Sequence, residues 1–248
     1  MRAVKAALKA MQDNPNQHAR RLFDGIASHY DLLAELFCLF QYHAWRRYLV
    51  SRLNADPEDT VLDLCTGTAG VALEVARTYH SRVVGVDLSA AMLKEAQTKL
   101  SRNGAGGRVT LAMGRAENLP FKDASLDAVC VTYLLRYVED AEATLKEIVR
   151  VLKPGGCLTT LEFGVPENRI ARILWYAYTR GVLPLAGALV SPGWREVGSF
   201  LGPSISRLDR SYPEAALLEV WGRLGIPDVQ VKHLSLGGGV VMWGTKSG

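Results

Sequence analysis

Two short segments of the sequence combine residue types that could hold a nucleoside. VLDLCTGTAG (residues 61–70) is an apolar run that passes into a glycine-containing turn, and VVGVDLS (residues 83–89) places Asp87 20 residues after Gly67. Such a turn lets backbone N–H groups approach an anion, and an acid at the end of the next strand accepts hydrogen bonds from both hydroxyls of a ribose. The two segments therefore predict a cofactor that carries a nucleoside.

The glycine pattern of this turn separates two classes of cofactor. A dinucleotide site has the pattern G-x-G-x-x-G, in which the first glycine makes the tight turn and the second admits the pyrophosphate. Cys65 occupies the first of these positions here. S-Adenosylmethionine has no pyrophosphate and tolerates this turn, so the sequence favours S-adenosylmethionine over NAD.

Two further segments strengthen the prediction. GRAENLPFKDASLDAVCV (residues 114–131) places Arg115, Ala116 and Glu117 at the end of a third apolar run, where an adenine edge would lie. VLKPGGCL (residues 151–158) has the residues that end a helix before another strand. The alternative is a generic doubly wound fold with incidental glycines, which the four segments together disfavour.

These motifs need a scaffold that brings the ends of several strands to one edge of a sheet. From Asp59 onward, apolar runs alternate with helical segments, and the predicted strands cover residues 60–65, 82–87, 108–113, 126–135 and 156–163. This alternation predicts parallel strands with right-handed crossovers and helices on both faces. We predict an α/β, Rossmann-like, doubly wound and mostly parallel seven-stranded sheet, to which a C-terminal hairpin about a Gly-Gly turn adds an antiparallel edge strand.

Two helical regions lie outside the alternation. Residues 1–55 form a predicted helical leader, and residues 56–248 form the cofactor-binding domain, which contains a helical insertion at residues 167–210 before its last helix and hairpin. The open edge of a sheet cannot enclose a substrate by itself. We therefore expect the leader, with Tyr30 and Asp31, and the insertion to close the cavity from above.

The insertion contains an apolar segment, residues 173–190, that is long enough to span a membrane. Arg180, Gly181, Pro184 and Gly187 interrupt this segment near its middle. We therefore predict two short helices around a turn. Their apolar character suits a lipophilic substrate or a membrane-facing lid. The alternative is that the two helices simply extend the core.

Composition and charge exclude several classes of protein. The four cysteines and five histidines show no C-x-x-C pair and no metal-ligand spacing, so we expect reduced thiols and no bound metal. No apolar signal segment follows the first basic residues, and we expect a cytoplasmic protein. The net charge of +4 is carried by five basic and one acidic residue in residues 1–21, which is too narrow a basic field for nucleic acid.

The basic residues at the start of the chain belong to a predicted amphipathic helix. Val4, Leu8 and Met11 share one side of this helix, while Lys5 and Lys9 share the other. It either caps the fold with its lysines in water, which we favour, or makes a peripheral contact with the inner face of a membrane.

The chain resembles the ubiquinone/menaquinone biosynthesis C-methyltransferases from about Arg20 to Lys246. The leader and the closing segment are the specific parts of this resemblance, since other methyltransferases share the middle. The segments that carry it are LFDGIASHYDLL with the following WRR, VLDLCTGTAG, VVGVDLSAAML, AENLPF, EIVRVLKPGGCLTTLEF, YPEAALLEVWGRLG and LSLGGGVVMWG.

The resemblance implies an S-adenosylmethionine-dependent enzyme that methylates a ring carbon of a polyprenyl hydroquinone, with residues 56–248 as its methyltransferase domain. Tyr30 and Arg136 fall on positions that the family assigns to the substrate side. Five residues fall on its cofactor positions: Thr68, Asp87, Arg115, Ala116 and Thr132. The predicted cofactor site also includes Asp63, Gly67, Leu88, Met92 and Glu117.

Methylation of a ring carbon requires a phenolate, and therefore a proton acceptor and a group that stabilises the oxyanion. Because a guanidinium stays protonated in proteins, we assign Arg136 to stabilising the phenolate or orienting a water. The alternative for Arg136 is a surface salt bridge to a neighbouring acid. The sequence leaves the base open among four candidates, with Tyr30 as a hydrogen-bond partner: His29, Asp31, His43 and a water molecule.

The chain departs from the family pattern at three places, one after the glycine turn and two around the substrate ring. The family usually has Gly-Asp where this chain has Ala69-Gly70, and asparagine where it has Tyr137 and Ala34. We infer a changed or more apolar pocket for a lipophilic aromatic substrate. The alternatives are another lipophilic acceptor, such as a phospholipid amine or a phenol of secondary metabolism, and a scaffold subunit without turnover; the sequence leaves a homodimer open.

Overall fold

The computed structural model describes residues 15–104 and 107–248. The amphipathic helix predicted at the start of the chain lies outside these residues. Within them the apolar runs form one seven-stranded sheet in the order β3-β2-β1-β4-β5-β7-β6. Its strands are β1 Thr60–Leu64, β2 Arg82–Asp87, β3 Val109–Met113, β4 Leu126–Thr132, β5 Leu152–Phe163, β6 Gln230–Leu234 and β7 Gly239–Thr245.

The central strands are parallel, as the alternation predicts. Leu62 of β1 lies between Val84 of β2 and Val129 of β4, in parallel register with both. Because both faces of such a sheet are covered, β1 and β4 are almost entirely buried and read in the sequence as continuous apolar runs. The predicted fold class is confirmed.

The C-terminal hairpin supplies the antiparallel edge of the sheet, as predicted. β7 pairs antiparallel with both β5 and β6, so it lies inside the sheet and β6 forms the edge. The composition of the two strands explains the order, because VVMW in β7 fills an interior position while the polar residues of β6 remain solvated.

Helices cover both faces of the sheet and the edge where β1, β2 and β4 end. In the described residues they are α1 Pro15–Asp24, α2 Tyr30–Phe37, α3 Tyr42–Val50, α4 Gly70–Tyr79, α5 Ala90–Arg102, α6 Ala141–Val151, α7 Arg169–Ala177, α8 Leu183–Val190, α9 Pro192–Ser211 and α10 Glu214–Arg223. Successive residues of a strand face opposite sides. Val61 accordingly packs in a cluster with α3, α4 and α5, and Leu62 packs in one with α6 and α10.

A third apolar cluster joins the leader to the insertion. Leu22 and Ile26 of the leader pack with Trp194 and Phe200 of α9, and Met92 of α5 completes the cluster. The N-terminus of α5 is capped by Ser89, whose Oγ accepts a hydrogen bond from the N–H of Met92 at 3.1 Å. The leader and the insertion therefore hold each other above the cofactor motifs.

The prediction of a turn in the middle of the insertion is wrong. The chain continues from α7 through a π-helical segment, Tyr178–Val182, into α8, and the N–H of Leu183 donates to the carbonyl of Tyr178. Pro184 comes just after the π-helical segment, where the regular i→i−4 hydrogen-bond pattern is already interrupted, so its missing N–H is accommodated there. The chain leaves the helix only at Ser191, which is extended.

The glycines of the insertion serve close packing between helices. An added Cβ at Gly187 would lie 2.3 Å from the carbonyl oxygen of Trp194, and one at Gly198 would lie 2.5 Å from that of Leu183. These residues let α8 and α9 lie against each other, so the glycine at 187 does not break the helix there.

Candidate functional site

The turn after β1 and the acid after β2 meet as the sequence predicts. Cys65, Gly67 and Ala69 all have positive φ, so the backbone curls tightly between β1 and α4. Asp87 Oδ2 accepts a hydrogen bond from the N–H of Gly67 at 2.8 Å, and its Oδ1 accepts one from the N–H of Ser89 at 2.9 Å. Burial raises the pKa of Asp87, against the effect of these N–H donors.

Asp63 supports this turn from within the sheet. Its Oδ2 accepts hydrogen bonds from the hydroxyl of Thr66 at 2.5 Å and from the N–H of Ala72 at 2.9 Å. Its Oδ1 has no hydrogen-bond partner among the residues that the structure describes. Burial raises the pKa of Asp63 to about 7. Asp63 does not line the crevice above the turn, so the structure places it beneath the cofactor site.

A crevice opens above the turn and is bordered by the leader. The predicted cofactor residues that line it are Gly67, Thr68, Asp87, Leu88, Met92, Arg115, Ala116, Glu117 and Thr132. At the end of β3, Glu117 Oε1 accepts a hydrogen bond from the side-chain amide of Asn16 at 2.6 Å. Helix α1 therefore closes the crevice at the end where the sequence places adenine.

Arg46 lines the opposite end of the crevice, and sequence reasoning missed it. Its guanidinium lies 4.2 Å from the ring centroid of Tyr42, and its Nε has no hydrogen-bond partner in the described residues. An added Cβ at Gly70 would lie 1.9 Å from Nη1 of Arg46. The guanidinium thus occupies the space that a side chain at position 70 would take. The sequence signals were the WRR segment, residues 45–47, which carries part of the family resemblance, and the departure from the family pattern at Gly70.

Asp31 connects the leader to the turn and lines neither cavity. Its Oδ1 accepts a hydrogen bond from the hydroxyl of Thr68 at 2.7 Å, and its Oδ2 accepts one from the ammonium of Lys99. Lys99 also donates to Thr68 Oγ1 at 2.9 Å. Arg46 Nη1 lies 3.9 Å from Asp31 Oδ1. Arg46 and Lys99 are two cations beside the single carboxylate of Asp31. These three side chains therefore leave a net charge of +1 near the crevice.

Two features of the residues that line the crevice fit S-adenosylmethionine. The buried carboxylate of Asp87 can accept the two ribose hydroxyls that the cofactor offers. At the other end, the unpartnered Nε of Arg46 is a donor for the carboxylate of the methionine moiety. The ribose would therefore meet a hydrogen-bond acceptor, and the carboxylate of the methionine moiety would meet a cation.

An apolar chamber of about 220 Å³ adjoins the crevice. The leader supplies Tyr30 to its wall and the insertion supplies Trp194, and these rings stack at 6.1 Å between centroids. The chamber and the crevice share five aromatic side chains: Phe23, Tyr30, Tyr42, Tyr133 and Tyr137. A ligand in the chamber would therefore meet a ligand in the crevice across aromatic rings.

Arg136 is the positively charged residue that lines this chamber. Its side chain is 1% exposed, its Nε donates to Glu162 Oε2 at 3.3 Å, and Nη1 lies 3.4 Å from Ser204 Oγ. Burial raises the pKa of Glu162, and the charge of Arg136 opposes this rise. The structure contains no surface salt bridge from Arg136 to a neighbouring acid among the described residues, because the side chain turns inward to Glu162.

The two candidate histidine bases lie away from both cavities. His29 is exposed at the N-terminus of α2 with a φ of 62°, and His43 is exposed near the start of α3. Neither side chain lines the crevice or the chamber. The structure brings Tyr30 and Arg136 together at the chamber but does not bring His29 to it.

Comparisons with known proteins agree with this geometry. The family model described as the ubiE/COQ5 methyltransferase family matches residues 11–246. The chain is 38% identical over 228 residues to the ubiquinone/menaquinone biosynthesis C-methyltransferase UbiE of Syntrophotalea carbinolica, with 92% of each chain covered. It is 34% identical over 227 residues to the demethylmenaquinone methyltransferase of Lactiplantibacillus plantarum, with 91% of this chain and 94% of the relative covered.

A solved structure shares the fold. A methyltransferase in complex with the Haloferax volcanii Trm112 activator superposes with a TM-score of 0.65 at 19% identity, covering 91% of this chain and 98% of that chain. The match of the family model over nearly the whole sequence, together with the cofactor crevice, shows that this chain belongs to the ubiE/COQ5 methyltransferase family and is an S-adenosylmethionine-dependent methyltransferase.

Proposed function

We propose that this enzyme methylates a ring carbon of a polyprenyl hydroquinone in quinone biosynthesis. The observation that carries the proposal is the aromatic-walled chamber that adjoins the cofactor crevice, since a lipophilic ring in that chamber would lie beside the methyl donor. The names of the relatives in Syntrophotalea carbinolica and Lactiplantibacillus plantarum support the same substrate class.

The aromatic side chains position the acceptor and exclude water. When bound, S-adenosylmethionine supplies a methyl group on an electrophilic sulfonium. A nucleophilic carbon must approach that methyl to within about 3–3.5 Å. The rings of Tyr30, Tyr42 and Tyr137 border both cavities and would hold the acceptor ring in this position. Because the same rings are apolar, they also keep water from competing for the methyl group.

Arg136 provides the charge that a phenolate needs. Glu162 fixes one edge of the guanidinium, and the chamber leaves another part of it to face a ligand. In this apolar setting a fixed cation stabilises a developing oxyanion more than it would in water. Since His29, Asp31 and His43 line neither cavity, we propose that a water molecule accepts the phenolic proton.

Product analysis tests the proposed function. Purified enzyme with S-adenosylmethionine is incubated with demethylated menaquinol and with ubiquinol precursors, and mass spectrometry follows the gain of one methyl group on the ring. We expect methylation of at least one quinol, and its loss in Asp87→Ala, which removes the acceptor of the ribose hydroxyls. Calorimetry with S-adenosylhomocysteine is the companion measurement, and we expect Asp87→Ala to weaken binding by roughly 1–3 kcal/mol.

A different lipophilic acceptor is the second candidate, and one feature of the chamber favours it. Ala34 lines the chamber, and Tyr137 is buried with its ring stacked on Phe200 at 5.5 Å, where the family usually has asparagine at both positions. A deletion strain separates the two candidates. An unmethylated quinone pool supports the hydroquinone, whereas a normal pool supports the other acceptor.

We also propose that the enzyme is a cytoplasmic protein that meets its substrate at a membrane surface. Within the described residues, the run from Arg169 to Val190 is long and apolar enough to cross a bilayer, and 17% of its most apolar window is buried. Its exposed apolar side chains are Ile170, Ile173, Leu174, Val182, Leu185, Leu189 and Val190. Because α9 packs along this run and Trp175 and Leu183 line the chamber, we place the run on the membrane surface rather than across it.

A further inference from the structure

The residue after β4 has an unfavourable backbone conformation. Tyr133 has a φ of 56°, in the left-handed region that bulky side chains rarely adopt. Its N–H is held by the carbonyl of Leu161 in β5 at 2.8 Å. The sheet therefore keeps Tyr133 in this conformation, at the strand end between the two cavities.

The ring of Tyr133 stacks with two neighbouring aromatic rings. It stacks on Phe163 at 4.4 Å between centroids and on Tyr42 at 6.0 Å, with interplanar angles of 21° and 17°. These two stacking contacts restrict the orientation of the ring, so the fold also sets the direction of its hydroxyl.

The hydroxyl of Tyr133 is buried without a hydrogen-bond partner in the described part of the chain. Burying an unpartnered hydroxyl destabilises a protein, and phenylalanine would fill the same space without that cost. Tyr133 also lines both the crevice and the chamber. A strained backbone and an unsatisfied polar group at the junction of two ligand cavities together indicate a ligand contact.

We propose that Tyr133 is a catalytic residue whose hydroxyl donates a hydrogen bond to the ring oxygen of the acceptor as that oxygen becomes a phenolate. This inference rests on the proposed function, and it places a neutral donor beside the charge of Arg136. Burial raises the pKa of Tyr133 well above its usual value, so the group remains protonated and cannot serve as the base.

The reaction balances with Tyr133 acting only as a donor. The phenolic proton passes to water, the ring carbon forms a bond to the methyl group, and the sulfur–methyl bond breaks to leave a neutral thioether. The ring carbon then loses its proton to water and the ring regains its aromaticity as a phenolate, which takes a proton back from water, so that one proton is released overall. Tyr133 keeps its own proton throughout, and its hydrogen bond strengthens as negative charge grows on the acceptor oxygen.

Tyr133→Phe tests the role because it removes one oxygen and retains the ring stacking. We expect kcat to fall by about 100-fold, the range seen when one oxyanion donor is lost, while affinity for S-adenosylhomocysteine is unchanged. We also expect the melting temperature to stay the same or to rise, because an unsatisfied buried group has been removed. Tyr48→Phe is the matched control, since Tyr48 packs against Trp243 outside both cavities, and it should leave kcat unchanged.

A second measurement does not require turnover. Nitrophenol absorbs differently as phenol and phenolate, so titration of the bound molecule reports how strongly the chamber stabilises the anion. We expect the pKa of bound nitrophenol to be about one unit higher in Tyr133→Phe than in the unaltered enzyme. Equal pKa values in the two proteins, or an unchanged kcat, would overturn the role of Tyr133. Absence of methylation by the unaltered enzyme would instead overturn the proposed substrate, and the nitrophenol titration would still decide on Tyr133.

Discussion

At the scale of single residues, the structure links two positions that are 24 residues apart in the sequence. Gly70 has no side chain, and the guanidinium of Arg46 occupies the vacant space beside the turn. The local motif was enough to predict Asp87 and Gly67, because both lie in one βαβ unit with a fixed spacing. Arg46 and the hydroxyl of Tyr133 could not be predicted, since their roles depend on an empty volume and on an absent partner that only the assembled fold defines.

Arg46→Met is expected to weaken binding of S-adenosylhomocysteine by about tenfold or more, because a buried cation would no longer pair with the carboxylate of the ligand. Affinity for 5′-methylthioadenosine, which lacks the amino-acid moiety, should be unchanged. Calorimetry with the two ligands measures both effects. Arg47→Met is the matched control, because Arg47 is the next residue of α3 and is exposed. An equal loss of affinity for the two ligands would show that Arg46 acts only through the fold.

At the scale of elements, buried parallel strands were predictable and the insertion was not. β1, β2 and β4 read as apolar runs because helices cover both of their faces, and β3 was placed within one residue of its start. The helical run through Tyr178–Val182 was missed, because arginine, glycine and proline normally end a helix. Here the π-helical segment accommodates them, and the packing of α9 stabilises it.

The buried acid Asp63 in β1 should make the stability of the fold depend on pH. Its pKa of about 7 in the folded protein is above the ordinary value of 3.8, so between these two values the folded chain keeps a proton that the unfolded chain has released. This group therefore stabilises the fold fully below pH 3.8, and the contribution is lost as the pH rises through 7. Asp63→Asn retains an oxygen for Thr66 and Ala72 but does not titrate.

We expect the free energy of unfolding of Asp63→Asn to change less between pH 4.5 and 7.5 than that of the unaltered protein. Urea denaturation at several pH values measures the difference, and Asp59→Asn, a change in the partly exposed residue before β1, is the control. Parallel pH dependence of the two proteins would mean that Asp63 is ionised throughout this range.

At the scale of the whole molecule, the leader and the insertion convert an open sheet edge into two adjoining cavities. Their shared cluster around Ile26, Trp194 and Phe200 holds the roof together, and the exposed face of α7 and α8 lies on the outside of that roof. Arg169 and Arg180 are exposed on the same helical run. An apolar face flanked by cations suits the surface of an anionic membrane.

Leu185→Ser combined with Leu189→Ser should reduce binding to phosphatidylglycerol–phosphatidylethanolamine vesicles by about tenfold or more, since these side chains are 71% and 91% exposed and would lose their burial in lipid. Co-sedimentation measures the bound fraction. Leu236→Ser, at the tip of the C-terminal hairpin and 81% exposed, is the matched control and should leave binding unchanged. Unaltered sedimentation of the double variant would remove this face from the membrane contact.

Helix α1 borders the crevice, whereas α7, α8 and α9 border the chamber. Helix α1 bridges the crevice through the bond between Asn16 and Glu117 and through Asp24, which accepts from the hydroxyl of Ser89 at 2.6 Å. We expect spent donor to leave once both links have broken, and a lipophilic acceptor to enter past α7, α8 and α9, whose residues line the chamber. Exchange of one ligand therefore need not wait for departure of the other, and we expect steady-state kinetics without an obligatory order of addition.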